Sequence, residues 1–154
     1  MERALSDAIA LAGLAHTGQM DKSGREYVLH PIRVMLRCEP HGRAVQMAAA
    51  LHDVVEDTWV TLDLLRTMGF PAEVVEAVDA ISRRKPEEGY TAYIDRCSRN
   101  RIATLVKLAD LEDNSDPNRR FGDNWQETMA KYAKARDVLL ASLNGHSAAF
   151  ATSP

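Results

Sequence analysis

Apolar side chains recur three and four positions apart along nearly the whole of this chain, and that periodicity constrains the fold more than any other feature. Strands need a period of two, and no convincing alternating run occurs, so each segment that can bury a face is expected to bury a helical one. Leu5, Ala8, Ile9, Leu11, Ala12 and Ala15 share one face of a first helix. His30-Pro31 opens a second, with proline at the favoured first helical position, and Pro40 and Gly42 end it. A third is expected from Arg43 to Val55. Thr61 can cap a short helix, Leu62 to Met68, which Gly69 stops. Helices over Pro71–Ser82, Tyr90–Arg96, Arg101–Asp113 and Trp125–Leu143 complete the set. Polar, glycine-bearing or charged stretches separate them at Thr17–Glu26, Arg83–Gly89 and Asp116–Asn124. The expectation is an all-α fold, a single-domain helical bundle over residues 1–144, with a small polar tail, 145–154, that frays.

Several function classes fall away on bulk properties. A chain of 154 residues suits one domain with a proper core. The formal net charge of −3 argues against a general nucleic-acid or membrane-surface binder. No apolar run approaches the length of a membrane span. The opening "MERALSDAIALAGLAH" has no cleavage-site pattern and is expected as a mature amphipathic helix. Cys38 and Cys97 stand far apart and form no metal-type pair, as free thiols of a reducing cytoplasm would.

One stretch strains against this ordinary background. "ALHDVVEDT", Ala50 to Thr58, places His52, Asp53, Glu56 and Asp57 within an otherwise apolar segment. If the helix continues, His52 projects with Glu56, and Asp53 with Asp57. Such acids are tolerated at a helix end open to water, or on a buried face where a divalent ion compensates them. Two further stretches favour the ion. "YVLHPIRV" puts His30 at a helix start, and "LVKLADLEDNSD" puts Asp110 on the core side of another helix. His30, His52, Asp53 and Asp110 make a two-nitrogen, two-oxygen set, which suits Mn²⁺, with Fe²⁺ or Mg²⁺ as substitutes, better than a thiolate-loving metal.

The order His, then His-Asp, then Asp resembles the HD superfamily of metal-dependent phosphohydrolases. "AHTGQMDKSGREYVLHPIRV", "ALHDVVEDT" and "VKLADLEDN" are more closely similar to the hydrolase domain of the Rel/Spo alarmone enzymes and to the stand-alone small alarmone hydrolases. The resemblance implies that His30, His52, Asp53 and Asp110 hold one Mn²⁺. It implies that Glu56 and Asp57 orient or deprotonate the attacking water. Asn114, Lys22 and Ser23 would touch the nucleotide, and Tyr27 would help form the pocket wall. Lys107 is expected to face away from Asp110. Arg83, Arg84 and Lys85 either steer phosphates or form a solvated charge run. Tyr90 and Tyr93 line the core or the pocket.

The chain departs from that pattern in three places. Asp21 stands where the family has an arginine able to stack on guanine, Glu26 where it has a proline, and Leu111–Asp113 where it has arginine-leucine-histidine. The implied reaction is removal of the 3′-pyrophosphate of (p)ppGpp. Asp21 keeps open a phosphatase of another 2′- or 3′-phosphorylated nucleotide such as NADPH, and a non-catalytic nucleotide-binding module, which a missing ligand or general base would favour, is the other alternative. The expected partner is a small-molecule nucleotide, without nucleic acid or membrane, and with room for a homo-oligomer.

Overall fold

The computed structural model describes residues 3–119 and 122–150, so residues 151–154 of the expected frayed tail lie outside the described residues. Helices follow one another as α1 (Leu5–Ala15), α2 (Leu29–Arg37), α3 (Arg43–Ala50), α4 (Val54–Asp57), α5 (Leu62–Met68), α6 (Ala72–Ile81), α7 (Tyr90–Ser98), α8 (Arg101–Asn114) and α9 (Trp125–Phe150). Among the described residues the only β pairing is an isolated bridge between Met20 and Glu26. The fold is all-α, as the periodicity predicts. No described helix is long and apolar enough to cross a membrane.

The caps follow from local chemistry. Thr61 Oγ1 accepts from the Leu64 amide at 3.1 Å, and Gly69 ends α5 in the left-handed region at φ 85°. Asn100 Oδ1 accepts from the Ala103 amide at 2.9 Å and starts α8. The final helix continues through Gly145 to Phe150, beyond its expected end at Leu143.

The third helix differs from expectation in a way that matters. It ends at Ala50, and Leu51, His52 and Asp53 form a turn before the single-turn α4. The His52 amide bonds the Ala49 carbonyl at 3.4 Å and the Val54 amide bonds that of Leu51 at 3.2 Å, both tighter than α spacing. His52 and Glu56 therefore do not share one continuous helix.

The centre of the bundle is built by α3 and α8. Helix α3 packs on α1, α2, α6 and α8, while α8 packs on α2, α3, α6, α7 and α9. Ala48, Ala49 and Ala50 are buried, and their small side chains let neighbouring backbones come close. Leu51, Val54, Leu65, Val74, Val78, Val106 and Leu139 fill the core between the helices. Cys38 and Cys97 are both buried and free.

Candidate metal centre

Three elements converge on one point: the first turn of α2 carries His30, the turn after α3 carries His52 and Asp53, and the last turns of α8 carry Asp110. His30 Nε2 lies 3.0 Å from Asp110 Oδ1 and 3.7 Å from Asp53 Oδ2. His52 Nε2 lies 3.1 Å from Asp53 Oδ2 and 3.6 Å from Asp110 Oδ1. Ligand atoms of His30, His52 and Asp53 all fall within 4.8 Å of one another, a group that could hold a metal ion.

The hydrogen bonds behind the imidazoles fix which nitrogen is offered. His52 Nδ1 is 2.7 Å from the Ala49 carbonyl, which can only accept, so Nδ1 carries a proton. His30 Nδ1 is 2.7 Å from Asp113 Oδ2 and 2.7 Å from Arg119 Nη1, and because that guanidinium also bonds Asp113 Oδ2, the carboxylate is the partner that takes the Nδ1 proton. Both Nε2 atoms then face the carboxylates. His52 Nε2 is buried with no hydrogen-bond partner, an orphan that a cation would satisfy. The donor set thus fits a divalent ion with mixed N/O ligation.

Electrostatics agree with that assembly. Burial pulls His52 down, but Asp53 and Asp110 more than reverse it and hold the imidazole well above its ordinary range. Burial pushes Asp110 up, and Lys107 with the two histidines outweighs it, holding the carboxylate well below its usual value. Asp53 behaves alike, lowered chiefly by His52 against its own burial. Asp53 and Asp110 favour positive charge at the imidazoles, whether carried by a proton or by an ion. A bound ion would compete with protons for the two Nε2 atoms.

The remaining expected residues are placed as follows. Glu56 and Asp57 stand beside Asp53, and ligand atoms of the three lie within 4.8 Å of one another. Glu56 Oε1 accepts from the Arg83 backbone amide at 3.0 Å, and Oε2 is 3.5 Å from Lys85 Nζ. Burial, then Asp53 and Glu56, push the Asp57 carboxyl up. The Tyr27 hydroxyl donates to Asp53 Oδ2 at 2.6 Å. Asn114 Nδ2 donates to Asp110 Oδ1 at 2.8 Å. Lys22 is exposed. Ser23 is turned into its own loop, where its amide and hydroxyl donate to Asp21 Oδ1 at 2.8 and 2.7 Å. Asp21 also accepts from the Arg25 amide at 3.0 Å, so this carboxylate organises the loop. Tyr93 is a core residue whose hydroxyl donates to the Ile81 carbonyl at 2.7 Å, and Tyr90 is half-buried beside it.

Lys107 corrects an expectation. It does not face away from Asp110: its Nζ donates to Asp110 Oδ2 at 2.7 Å, because positions three apart share a helix face. Two groups lie in quoted stretches but had no role assigned from the sequence. Asp113, fully buried, backs His30 and gathers Arg33, Arg37 and Arg119. His16, also buried, has Nδ1 2.8 Å from Gln19 Oε1, while Gln19 Nε2 donates to the Asp57 carbonyl at 3.0 Å. That chain ties the end of α1 to the acidic turn. The "AHTGQ" stretch, with a histidine three positions before a glutamine, was the available signal.

No family model matches the chain. It is 30% identical to a guanosine-3′,5′-bis(diphosphate) 3′-pyrophosphohydrolase of Danio rerio, over 94% of this chain and 87% of that protein. It is 37% identical to an enzyme of the same name from Haemophilus influenzae, over 65% of this chain and 16% of that one. It is 34% identical to the bifunctional (p)ppGpp synthase/hydrolase SpoT of Escherichia coli, over 71% of this chain and 17% of the other. The matches thus span only 16–17% of the length of these two bacterial relatives. A solved metazoan ortholog of SpoT superposes with a TM-score of 0.71 at 28% identity, covering 92% of this chain and 85% of that one.

Proposed function

Because this chain belongs to the guanosine-3′,5′-bis(diphosphate) 3′-pyrophosphohydrolase family, with the HD-type Rel/Spo hydrolase fold, we propose that it is a metal-dependent nucleotide phosphohydrolase that removes the 3′-pyrophosphate of (p)ppGpp. The products are GDP or GTP and pyrophosphate. The observation that carries this is the meeting of two Nε2 atoms and two carboxylates at one point, with both imidazoles braced from behind. His30, His52, Asp53 and Asp110 would hold the ion, and mixed N/O ligation favours Mn²⁺, with Fe²⁺ or Mg²⁺ as substitutes. When bound, the ion supplies Lewis acidity, which makes hydroxide available near neutral pH and offsets charge on the phosphoryl oxygens.

The chain's own groups do the rest. Glu56, held by the Arg83 amide, takes the proton of the attacking water, with Asp57 beside it to share the task. Water adds to the 3′ phosphorus, the bond to the ribose oxygen breaks, and that oxygen leaves with a proton. The Tyr27 hydroxyl holds Asp53 in place, and Asn114 does the same for Asp110. Lys107 balances the charge of Asp110. Lys22 and Ser23 belong to the loop that would meet the nucleotide. Two buried free thiols support a reducing, cytoplasmic setting.

Asp21 supports a second substrate. It is tied into its own loop by three hydrogen bonds and offers no guanidinium for a guanine base. A 2′- or 3′-phosphorylated nucleotide such as NADPH would suit the same metal chemistry. One experiment separates the readings: incubation of the protein and Mn²⁺ with a nucleotide panel. Pyrophosphate from ppGpp supports the first, orthophosphate from NADPH the second, and binding without turnover would overturn both in favour of a binding module. His52→Ala and Asp53→Ala should lose both metal and turnover.

A further inference from the structure

Helix α8 grips the His30 imidazole from both sides. Asp110 Oδ1 stands 3.0 Å from Nε2, and Asp113 Oδ2 stands 2.7 Å from Nδ1. The two carboxylates are three positions apart and so lie on one face. Asp113 has no exposed surface, and a buried carboxylate needs cations and donors around it. It has more than it needs for neutrality. Arg33 Nε and Arg37 Nη1 donate to Oδ1 at 2.8 and 3.0 Å, Arg33 Nη2 reaches Oδ2 at 3.2 Å, and buried Arg119 also bonds Oδ2. Arg33 and Arg37 share a face of α2 with His30, so one helix brings both the ligand and two of the cations that hold its brace.

We propose that Asp113 is the positioning residue of the metal centre: it fixes the tautomer and the angle of His30, and the three arginines clamp it there, so that metal affinity is set by a group outside the ligand set. The inference rests on the metal reading above. A carboxylate can only accept, so it keeps the proton on Nδ1 and leaves the Nε2 lone pair for the ion, while Arg119 Nη1, 2.7 Å from the same nitrogen, directs its N–H to Asp113 Oδ2. Such a carboxylate also raises the basicity of the ligand it supports. At this position the resembled pattern has a histidine, which could not neutralise three guanidiniums. The brace is therefore a property of this chain's own "LED" stretch.

The arginines provide the control. Arg37 touches Oδ1 only, the oxygen that does not meet His30. Arg37→Gln, which keeps the Arg33 and Arg119 bonds to Asp113, should lower the melting temperature and weaken Mn²⁺ far less than Asp113→Asn does, by titration calorimetry. Asp113→Asn should weaken Mn²⁺ by about 10- to 100-fold, the usual effect of removing an outer-shell partner. In Zn²⁺-loaded wild type, a long-range ¹H–¹⁵N spectrum should show His30 protonated at Nδ1. Asp113→Asn should shift or lose that signal, and Arg37→Gln should keep it. Unchanged affinity in Asp113→Asn, equal losses in both variants, or a wild-type spectrum with the proton absent from Nδ1 would each overturn the proposal. The wild-type spectrum tests it even if Asp113→Asn does not fold. Failure of the wild type to bind Mn²⁺ would instead sink the metal reading, and the positioning role with it.

Discussion

As the proposed general base, Glu56 is the residue whose replacement should separate binding from chemistry. Its Oε1 is fixed by the Arg83 amide, and glutamine can still accept that bond through its amide oxygen. Glu56→Gln should therefore fold and bind Mn²⁺ as the wild type does, yet turn over roughly 100-fold or more slowly, the scale of an acid–base contribution. Steady-state rates beside a metal titration check this, and a wild-type rate would remove Glu56 from proton transfer. At this scale the sequence was legible where a residue's type announced its chemistry. His30, His52, Asp53 and Asp110 are the residues proposed on that ground, and the structure brings them together. Legibility failed where a residue's importance comes from what it touches. Asp113 is 83 positions from the histidine it braces, and nothing local marks it as different from exposed Glu112 beside it. Lys107 was a different kind of miss. Its spacing from Asp110 already put both on one face, and only the direction of the side chain was misjudged.

Among the elements, the segment after α6 shows how a charged run becomes structure. Arg96 on α7 donates to the carbonyls of Asp79, Ala80 and Ser82, and holds Glu88 with two bonds of 2.8 Å. Glu88 in turn accepts from the Arg84 amide at 3.0 Å. The Arg83–Gly89 stretch is thereby fastened to the bundle, and it carries the amide that holds Glu56. The Arg96 guanidinium keeps the Glu88 carboxyl down at about 2, from an ordinary 4.5. A carboxylate lowered on folding stabilises the native state above its unfolded value, and that stabilisation disappears as pH falls through the folded one. The melting-temperature gap between wild type and Glu88→Gln should thus hold steady from pH 7 to about 5 and close as pH falls from there towards about 2. A gap that persists unchanged at the acid end would show that the charge is not what fastens the loop. Element boundaries were the less legible part of the fold. The apolar period runs unbroken through Ala50–Val55 with no glycine or proline, so a continuous helix was the local expectation. The break at Leu51–Asp53 is tertiary: it turns His52 Nδ1 onto the Ala49 carbonyl and Nε2 towards Asp53 and Asp110.

For the whole molecule, the proposed metal site couples metal binding to the fold. The proposed ligands come from α2, the turn after α3, and α8, and α3 and α8 are the two helices on which most of the others pack. An ion that holds those three together binds only the folded chain. At a free Mn²⁺ concentration of 100 times the dissociation constant, linkage adds about 2.7 kcal/mol of stability. For a chain of this size each kcal/mol raises the melting temperature by about 2–4 °C, so EDTA should lower it by roughly 5–11 °C from the Mn²⁺-loaded value. His52→Ala should melt at the same temperature with and without the ion. The effect should also depend on pH in a definite direction. Asp53 and Asp110 hold His52 above its ordinary range, so the ion competes with a proton there, and the competition favours the proton as pH falls. At fixed total Mn²⁺ the stabilisation should be larger at pH 8 than at pH 6. Equal stabilisation at both would mean that His52 gives up no proton when the ion binds. A metal-induced rise preserved in His52→Ala would place the ion elsewhere on the protein.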